Sequence, residues 1–255
     1  MPRSIWNGAI AFGLVTVPIK VFSATESKTV HFHEVHAKDG SRIEHRRICP
    51  KDGKEVGKDD IVKGFEVSKG KFVELTDDEL AAAAGTKTRR LDVEHFVPAA
   101  EIEPEFYERT YYLGAQDKGR DAYALLHAAL ERAERAGVGR WVFHNRERTV
   151  VIRPLDGVLA MHTMRFADDL VDPGDFDLGR VRNKPSAREI KMAASLVEGL
   201  HAGFDPTDYE DSYRADVLDL IERKAQGKNI EPPPEEETES ADDLLAALEA
   251  SLAKS

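Results

Sequence analysis

The sequence predicts a mainly β protein with added helices, an α+β fold centred on an antiparallel barrel or sandwich. Many short stretches rich in β-branched and aromatic residues follow one another between turns that contain glycine or aspartate. These stretches do not alternate regularly with helices, as parallel βαβ units would require. Hydrophobic residues make up 41% of the 255 residues, which is enough for a substantial core.

The first strands are predicted in IWNGAIAFGLVTVPIKVF, residues 5–22, where Lys20 is the one charged residue. Alternation of bulky side chains slips between Gly13 and Val15, which predicts two short strands or one bent strand. Glycine and proline interrupt this stretch, so a signal peptide is not expected, and no other run has the length of a membrane span. Since Cys49 is the single cysteine, no internal disulfide is expected either, and a cytoplasmic location follows by default.

Further elements follow from periodicity and from capping residues. Strands are predicted at 30–35, 43–48, 65–67, 72–75, 91–96, 111–113, 138–143, 149–154 and 158–166, the last two joined by a hairpin at Asp156-Gly157. Helices are predicted near 121–136, 186–202 and 209–225. The first begins at Asp121 and stops at Gly137, with Leu125, Leu126 and Leu130 in the core. The second begins with the capping box Ser186–Glu189.

The C-terminal part has a different composition. We predict a core at 1–226, a disordered, acidic and proline-rich linker at 227–239, and a short amphipathic helical tail at 240–255. Residues 231–255 hold eight acids and one base, so removing their −7 from the net charge of −11 leaves −4 for the first 230 residues. The acidity of the chain therefore does not exclude a nucleic-acid partner for the core. The apolar face of the tail is formed by Leu244, Leu245, Leu248 and Leu252.

Motifs of enzymes are absent from the sequence, which contains no phosphate-binding G-x-x-x-x-G-K-[ST] loop, no G-x-S-x-G and no H-E-x-x-H. His31, His33 and His36 leave open a zinc-dependent enzyme, but a general base and an open coordination pattern are lacking. Cys49 lacks a second cysteine at position 52, where Asp stands, so a structural zinc site is not expected. We predict no enzymatic activity, no cofactor and no metal.

Two basic clusters are the most informative polar features. Six bases and three acids lie between Arg42 and Lys58, and five arginines and two acids lie between Arg140 and Arg165. Alternation along strands can place such cations on one face, where they could follow a phosphate backbone. An ordinary solvated surface explains the same composition, so the residues alone leave both alternatives open.

Ordered motifs in the sequence favour the nucleic-acid interpretation. The opening pattern runs from Arg3 to Lys20 as RSIWNGAIAFGLVTVPIK, and it is followed by FHEVHAKDGSRI (32–43), DIVKGFEV (60–67), FVPAAEIEPEFYERTYYL (96–113) and FDPTDYEDSY (204–213). In this set and order the sequence resembles bacterial Ku, the DNA-end-binding protein of non-homologous end joining, over residues 3–225. Some family members carry C-x-x-C where this chain has Cys49 and Asp52, and many end in a lysine-rich extension that this chain lacks.

The resemblance implies a Ku-type β-barrel core with a helical arm and C-terminal helices, in a ring-forming homodimer that encircles the end of double-stranded DNA. It further implies sequence-independent binding without catalysis, recruitment and stimulation of the ATP-dependent DNA ligase D, and association with the nucleoid when DNA is broken. A structural β-barrel adaptor without a nucleic-acid role is the alternative. Candidate DNA contacts, taken from the strand-borne clusters, are Lys20, Arg42, Arg46, Arg47, Arg146, Arg148 and Arg153. The four leucines of the tail are candidates for contact with the ligase.

Overall fold

The computed structural model describes residues 2–83, 89–144, 146–177 and 184–228. The described residues fall into two compact units. The barrel unit comprises those of 1–27 and 34–172, and the helical unit comprises those of 28–33 and 173–255.

Seven strands of the barrel unit close into a barrel in the order β1-β2-β6-β9-β8-β7-β5. All neighbours are antiparallel except β1 and β5, which are parallel. The strands are β1 (Trp6–Phe12), β2 (Val15–Ser23), β5 (Arg90–Pro98), β6 (Tyr107–Ala115), β7 (Arg135–Phe143), β8 (Arg146–Leu155) and β9 (Val158–Met164). The predicted α+β class with an antiparallel barrel is therefore confirmed.

The opening stretch forms two strands joined by a tight turn. Phe12 of β1 pairs with Val15 of β2, and Gly13 between them has φ +54°, a conformation that glycine adopts without strain. In β2, Val17, Ile19 and Val21 are fully buried while Lys20 is exposed. The slip in alternation thus marks a hairpin turn, and of the two predicted alternatives, two short strands or one bent strand, the structure has two strands.

Aromatic rings fill one end of the barrel core. Trp141 is completely buried and makes T-shaped contacts with Trp6 and Tyr111, with ring centroids 5.8 Å and 5.6 Å away. Phe143 stacks on Trp141 at 4.4 Å with an interplanar angle of 11°. The indole Nε1 of Trp141 has no hydrogen-bond partner among the described residues.

Helix α2 (Arg120–Ala133) packs against the other end of the barrel. The hydroxyl of Tyr123 donates to the carbonyl of Leu113 at 2.6 Å and accepts the N–H of Leu159 at 2.7 Å, which fixes the helix where β6 ends and β9 begins. Leu126 and Leu130 belong to the core. The prediction for Leu125 is wrong, because its side chain is 72% exposed.

The predicted limits of this helix are also corrected. Gly119, not Asp121, precedes its first residue, and the helix stops at Glu134, whose φ of 53° lets its N–H reach the carbonyls of Leu130 and Glu131. Gly137 lies inside β7, where an added Cβ would stand 3.1 Å from the side chains of Phe96 and Val93. This glycine allows close strand packing and does not terminate the helix.

The rest of the barrel unit contains a two-stranded sheet of β3 (Lys63–Ser68) and β4 (Lys71–Leu75), followed by helix α1 (Asp77–Ala83). The strands predicted at 30–35 and 43–48 are wrong. These residues form only single bridges, between Val35 and Arg42 and between Ile48 and Glu55. Each bridge closes a local turn, so the backbone hydrogen bonds that a strand would offer to a neighbour are used within the turn.

These two turns are structural copies of each other, with the sequences HAKDGS (36–41) and CPKDGK (49–54). The first residue donates its N–H to the carbonyl of the last, at 2.7 Å in the first turn and 2.9 Å in the second. The glycines, Gly40 and Gly53, have φ +72° and +69° and donate to the carbonyl of the first residue. A short internal repeat therefore organises the segment that carries one of the basic clusters.

The helical unit contains α3 (Ala187–Gly199) and α4 (Ser212–Ala225). The predicted capping box is present, because Ser186 Oγ accepts the N–H of Glu189 at 3.3 Å and the Glu189 carboxylate accepts the N–H of Ser186 at 2.6 Å. Helix α4 begins later than predicted, with Asp211 as its N-cap, since residues 206–208 form a 3₁₀ turn. No helix within the described ranges is both long enough and apolar enough to span a membrane.

Residues 229–255 lie outside the described part of the chain. They include most of the predicted linker at 227–239 and the whole predicted tail at 240–255 with its four leucines. These segments remain predictions from the sequence.

Candidate nucleic-acid interface

The seven candidate DNA contacts lie in three regions of the barrel unit. One lies on β2, three lie on β8, and three lie on the segment of the two copied turns. The residues in this order are Lys20; Arg146, Arg148 and Arg153; and Arg42, Arg46 and Arg47.

The arginines of β8 do not share one face. Arg146 and Arg148 continue the face of Val150 and Ile152, which belong to the core, so they stand at the barrel end where β8 begins. Arg153 points to the opposite face, and at about 3.3 Å per residue its Cα lies roughly 23 Å along the strand from that of Arg146. The structure therefore brings Arg146 and Arg148 together and separates Arg153 from them.

Arg148 is held by a carboxylate from another strand. Its guanidinium donates to Glu108 Oε2 on β6 at 3.0 Å, and the same oxygen accepts the hydroxyl of Thr163 on β9 at 3.1 Å. Arg165, just after β9, donates to the backbone carbonyls of Glu105 and Tyr107, both at 2.6 Å. Because both guanidiniums keep donors outside these bonds, the barrel end presents fixed positive groups.

Arg153 lies instead in a chain of hydrogen bonds across three strands. Its Nε donates to Nε2 of His162 at 3.1 Å, and Nδ1 of His162 lies 3.0 Å from the hydroxyl of Thr110. The ring of Tyr107 packs edge-on against the imidazole at 4.8 Å. Burial of His162 and, after it, the charge of Arg153 lower the pKa of the imidazole from 6.5 to about 4. A neutral His162 is the acceptor that the Arg153 guanidinium needs.

The surroundings of Arg153 are acidic. It lines a shallow cavity of 260 Å³ next to Glu131, Glu134 and Asp156, with Arg135 as the other cation. Three carboxylates against two guanidiniums would repel a phosphate group. Arg153 is therefore the least favourably placed of the seven candidates.

Lys20 is exposed on β2, beside a cavity of 320 Å³ whose wall includes Gln116, Asp117 and Lys118. The side chain of Gln116 bonds the carbonyls of Ile19 and Gly8 at 2.7 Å and 3.3 Å, which fixes this wall to the strands. Lys20 is thus presented on a rigid support, with one acidic neighbour and one basic neighbour.

All three arginines of the third region are exposed. Arg46 makes ion pairs with Glu44 and Glu55, both at 3.3 Å. Arg47 is held through its backbone, where its carbonyl accepts the N–H of Val56 at 2.8 Å. Arg42 occupies one of the single bridges. Their side chains are open to a partner, because exposed ion pairs of this kind contribute little free energy.

Metal-ligating residues do not come together in the described part of the chain, where no group of three or more His, Cys, Asp or Glu side chains has the geometry to hold a metal ion. His36 pairs with Asp39 at 3.1 Å within its own turn. Cys49 opens the second turn and is partly exposed.

Some polar groups at the barrel end were missed by the sequence analysis. Arg109 of β6 is exposed beside the aromatic end of the core, and Glu108 is the carboxylate that orients Arg148. The predicted strand at 111–113 was too short to include them. Extending the alternation of Tyr111 and Leu113 backwards by two residues would have placed Arg109 on the inward face.

Comparison with known proteins places this barrel in a family. A family model described as "Ku70/Ku80 beta-barrel domain" matches residues 11–192. The chain belongs to the Ku family. The matched region runs from the end of β1 into α3, so the Ku-type barrel core expected from the motifs is confirmed.

Several bacterial Ku proteins align over nearly the whole chain, each called "Non-homologous end joining protein Ku". That of Anaeromyxobacter sp. (strain K) is 43% identical over 255 residues, covering 99% of this chain and 86% of its own. That of Heliobacterium modesticaldum is 40% identical, and the alignment covers 98% of this chain and 91% of the relative. That of Mycobacterium tuberculosis (strain H37Rv) is 36% identical, and the alignment covers 98% of this chain and 94% of the relative. All seven candidate cations fall inside the region that the Ku model matches.

Proposed function

We propose that this chain binds the ends of double-stranded DNA, independently of sequence, in double-strand break repair by non-homologous end joining. The observation that carries the proposal is membership of the Ku family, together with near full-length relatives whose name states that process. The protein acts as a scaffold, without catalysis and without a cofactor.

The electrostatics of the barrel unit support a phosphate partner. Arg46 on the copied turns, and Arg148 and Arg165 at the end of the barrel where β8 begins, bond only to carboxylates and backbone carbonyls among the described residues. Phosphate can replace a carboxylate because it accepts the same paired N–H donors and carries comparable or greater charge. Binding through the backbone of DNA also needs no base contacts, which gives sequence independence.

The binding form that we propose is a homodimeric ring around the DNA end. A closed ring holds DNA by topology as well as by contacts, so a modest number of phosphate contacts suffices for a long-lived complex. This form agrees with a body whose charge is nearly balanced, −4 over the first 230 residues. Association of two copies is checked by sedimentation equilibrium.

The ring in turn recruits and stimulates the ATP-dependent DNA ligase D. The proposed contact is the tail at 240–255, through Leu244, Leu245, Leu248 and Leu252, tethered by the linker at 227–239. An amphipathic segment of this kind folds onto the groove of a partner more readily than it folds alone. The proposed location is the cytoplasm, on the nucleoid when DNA is broken.

The decisive experiment compares linear and circular DNA of the same sequence. Linear duplexes of unrelated sequences should shift with similar affinity in a gel, and an excess of closed circular plasmid should compete weakly, because a ring needs an end to load. Equal binding to circular and linear DNA would contradict end recognition. An absence of binding even at low salt would favour the structural adaptor.

A further inference from the structure

The end of the barrel opposite α2 contains two neighbouring cavities. Here β6 and β8 begin, β7 and β9 end, and Phe143 pairs with Arg146 across the β7–β8 hairpin. The larger cavity has a volume of 660 Å³ and is lined by residues that include Arg109, Phe143 and His144. The smaller has 320 Å³ and is lined by residues that include Arg146, Arg148 and Arg165. Both volumes fall within the range of small-molecule sites.

Two cations at this end are available to a ligand. Arg109 and Arg146 are exposed, and neither forms an ion pair with any residue that the structure describes. The acids in the two cavities are Glu108 and Asp169, of which Glu108 already binds Arg148. The two cavities together have four arginines and two carboxylates in their walls, so their net charge is positive and favours an anion. The arginines are Arg109, Arg146, Arg148 and Arg165.

Aromatic surface accompanies this charge. Phe143 is partly exposed in the larger cavity, and its ring is supported from behind by the stacked indole of Trp141 at 4.4 Å. The imidazole of His144 lies 4.0 Å from the Phe143 ring at an interplanar angle of 61°. A fixed aromatic face beside arginines is the combination that binds an unstacked base together with its phosphate.

The opposite end of the barrel has a different chemistry. The groove along α2 is lined by apolar side chains such as Phe12, Phe96 and Leu125, with Arg135 as the charged residue in its wall. The neighbouring cavity around Arg153 is rich in carboxylates. Cationic and aromatic groups therefore coincide at the Phe143 end, and this end is the better receptor for a nucleotide.

We propose that the larger cavity, with Arg109, Phe143 and His144 in its wall, binds an unpaired nucleotide together with Arg146, which lines the smaller cavity and pairs with Phe143 across the hairpin. The base packs against Phe143 and His144, and the phosphate meets the guanidiniums of Arg109 and Arg146. This inference rests on the proposed function, because a single-stranded overhang at a DNA end supplies such a nucleotide. A free nucleotide has the same chemistry and is the other source.

Tryptophan fluorescence provides a direct readout, since the chain has only two tryptophans, Trp6 and Trp141. Both lie in the aromatic cluster behind Phe143. Titration of the full-length protein with tetrathymidylate should quench this emission, and titration with thymidine monophosphate tests the free nucleotide. Quenching by the tetranucleotide alone supports the overhang as source, and equal quenching by both supports a free-nucleotide site of the same chemistry.

The test variant is the double substitution Arg109→Ala and Arg146→Ala, which should weaken the quenching titration about tenfold, because each arginine loses a charge-assisted contact. Phe143→Leu should reduce the quenching further at saturation, since it preserves apolar volume but removes the stacking face. Arg132→Ala is the matched control, because Arg132 is exposed on α2 and lines none of the cavities at this end. It should behave as the parent chain.

Gel shifts with blunt duplexes separate this inference from the proposed function. If blunt ends bind but neither thymidylate quenches, or if quenching is unchanged in the double variant, the nucleotide site is refuted and end binding stands. If the parent chain binds no blunt duplex, the proposed function fails, whatever the quenching shows.

Discussion

At the scale of single residues, Arg46 and Arg47 share one exposed segment but differ in their contacts. Arg46 is shared between two carboxylates, whereas the backbone of Arg47 is fixed. The logarithm of the DNA-binding constant falls linearly with the logarithm of the salt concentration, with a slope of roughly 0.9 per phosphate contact. If both guanidiniums contact phosphates, replacing both residues with Ala should make this slope shallower by about two units. Dissociation constants measured over a series of salt concentrations give this slope.

The control for that experiment is the pair Arg120→Ala and Arg132→Ala, which removes the same charge from helix α2. Its slope should stay that of the parent chain. A double Arg46/Arg47 variant with an unchanged slope would place both side chains outside the DNA-binding surface.

His162 gives the barrel a stability that depends on pH. Its pKa falls from 6.5 to about 4 in the folded protein, mainly through burial and then through the charge of Arg153. The unfolded chain takes up this proton more readily than the folded protein. The contribution of His162 to the free energy of unfolding is therefore fully present above pH 6.5 and is lost as the pH falls from 6.5 towards 4. The loss over this window is on the order of 3 kcal/mol.

Urea unfolding at pH 7 and pH 5 tests this linkage with His162→Gln. The variant should lose less stability between the two pH values than the parent chain, because glutamine does not titrate. The exposed histidine variant His201→Gln serves as the control and should keep the parent's pH dependence. Equal losses in His162→Gln and the parent would show that His162 does not carry the effect.

The sequence located the basic residues of the candidate site but not their partners. Arg148 was predicted from alternation along one strand, while the carboxylate that holds it, Glu108, lies 40 positions away. Arg153 looked equivalent to Arg148 because both lie on β8, and only the opposite faces of the strand separate them. Such pairings depend on which strands become neighbours when the barrel closes, and the local sequence pattern does not specify this.

At the scale of elements, the close approach of β5 and β7 depends on Gly139. A Cβ at this position would stand 2.2 Å from the carbonyl oxygen of Asp92 and 2.9 Å from the Cα of Val93. Both are backbone atoms, so Gly139→Ala must push two paired strands apart, which should destabilise the barrel by about 1–3 kcal/mol or more. Thermal or urea unfolding measures this loss.

Gly203→Ala is the matched control, because nothing lies within 4 Å of its added Cβ. It should leave the free energy of unfolding within a few tenths of a kcal/mol of the parent value. Equal stability of Gly139→Ala and Gly203→Ala would mean that the β5–β7 pairing tolerates the extra methyl group.

Elements with clear local signals were predictable, and those decided by distant contacts were not. The Asp156-Gly157 hairpin is confirmed, with both residues at positive φ, as is the capping box of α3. The segments at 30–35 and 43–48 were wrongly predicted as strands, since the β-branched residues in them border local turns. Gly137 was misread because a glycine after a helical stripe and a glycine inside a close-packed strand look alike in sequence.

At the scale of the whole molecule, charge is unevenly distributed along the chain. The last 25 residues carry −7, and the first 230 carry −4. The segment that would be repelled most strongly by DNA is therefore separate in sequence from the arginine-bearing barrel unit. This separation agrees with the different partners that we propose for the two parts, phosphate for the barrel unit and protein for the tail.

Deletion of residues 231–255 tests that assignment. End binding should be retained, because none of the candidate DNA contacts lies in the deleted segment and an acidic segment is lost. Stimulation of ligase D on linear DNA should fall, since the leucine face that we propose for the ligase is gone.

A second variant with Leu244, Leu245, Leu248 and Leu252 replaced by Ser keeps the acids, so it separates the loss of apolar contact from the change in charge. Gel shift and ligation yield are measured in parallel for the parent chain and both variants. A large loss of end binding in either variant would refute the assignment, as would unchanged ligation in both.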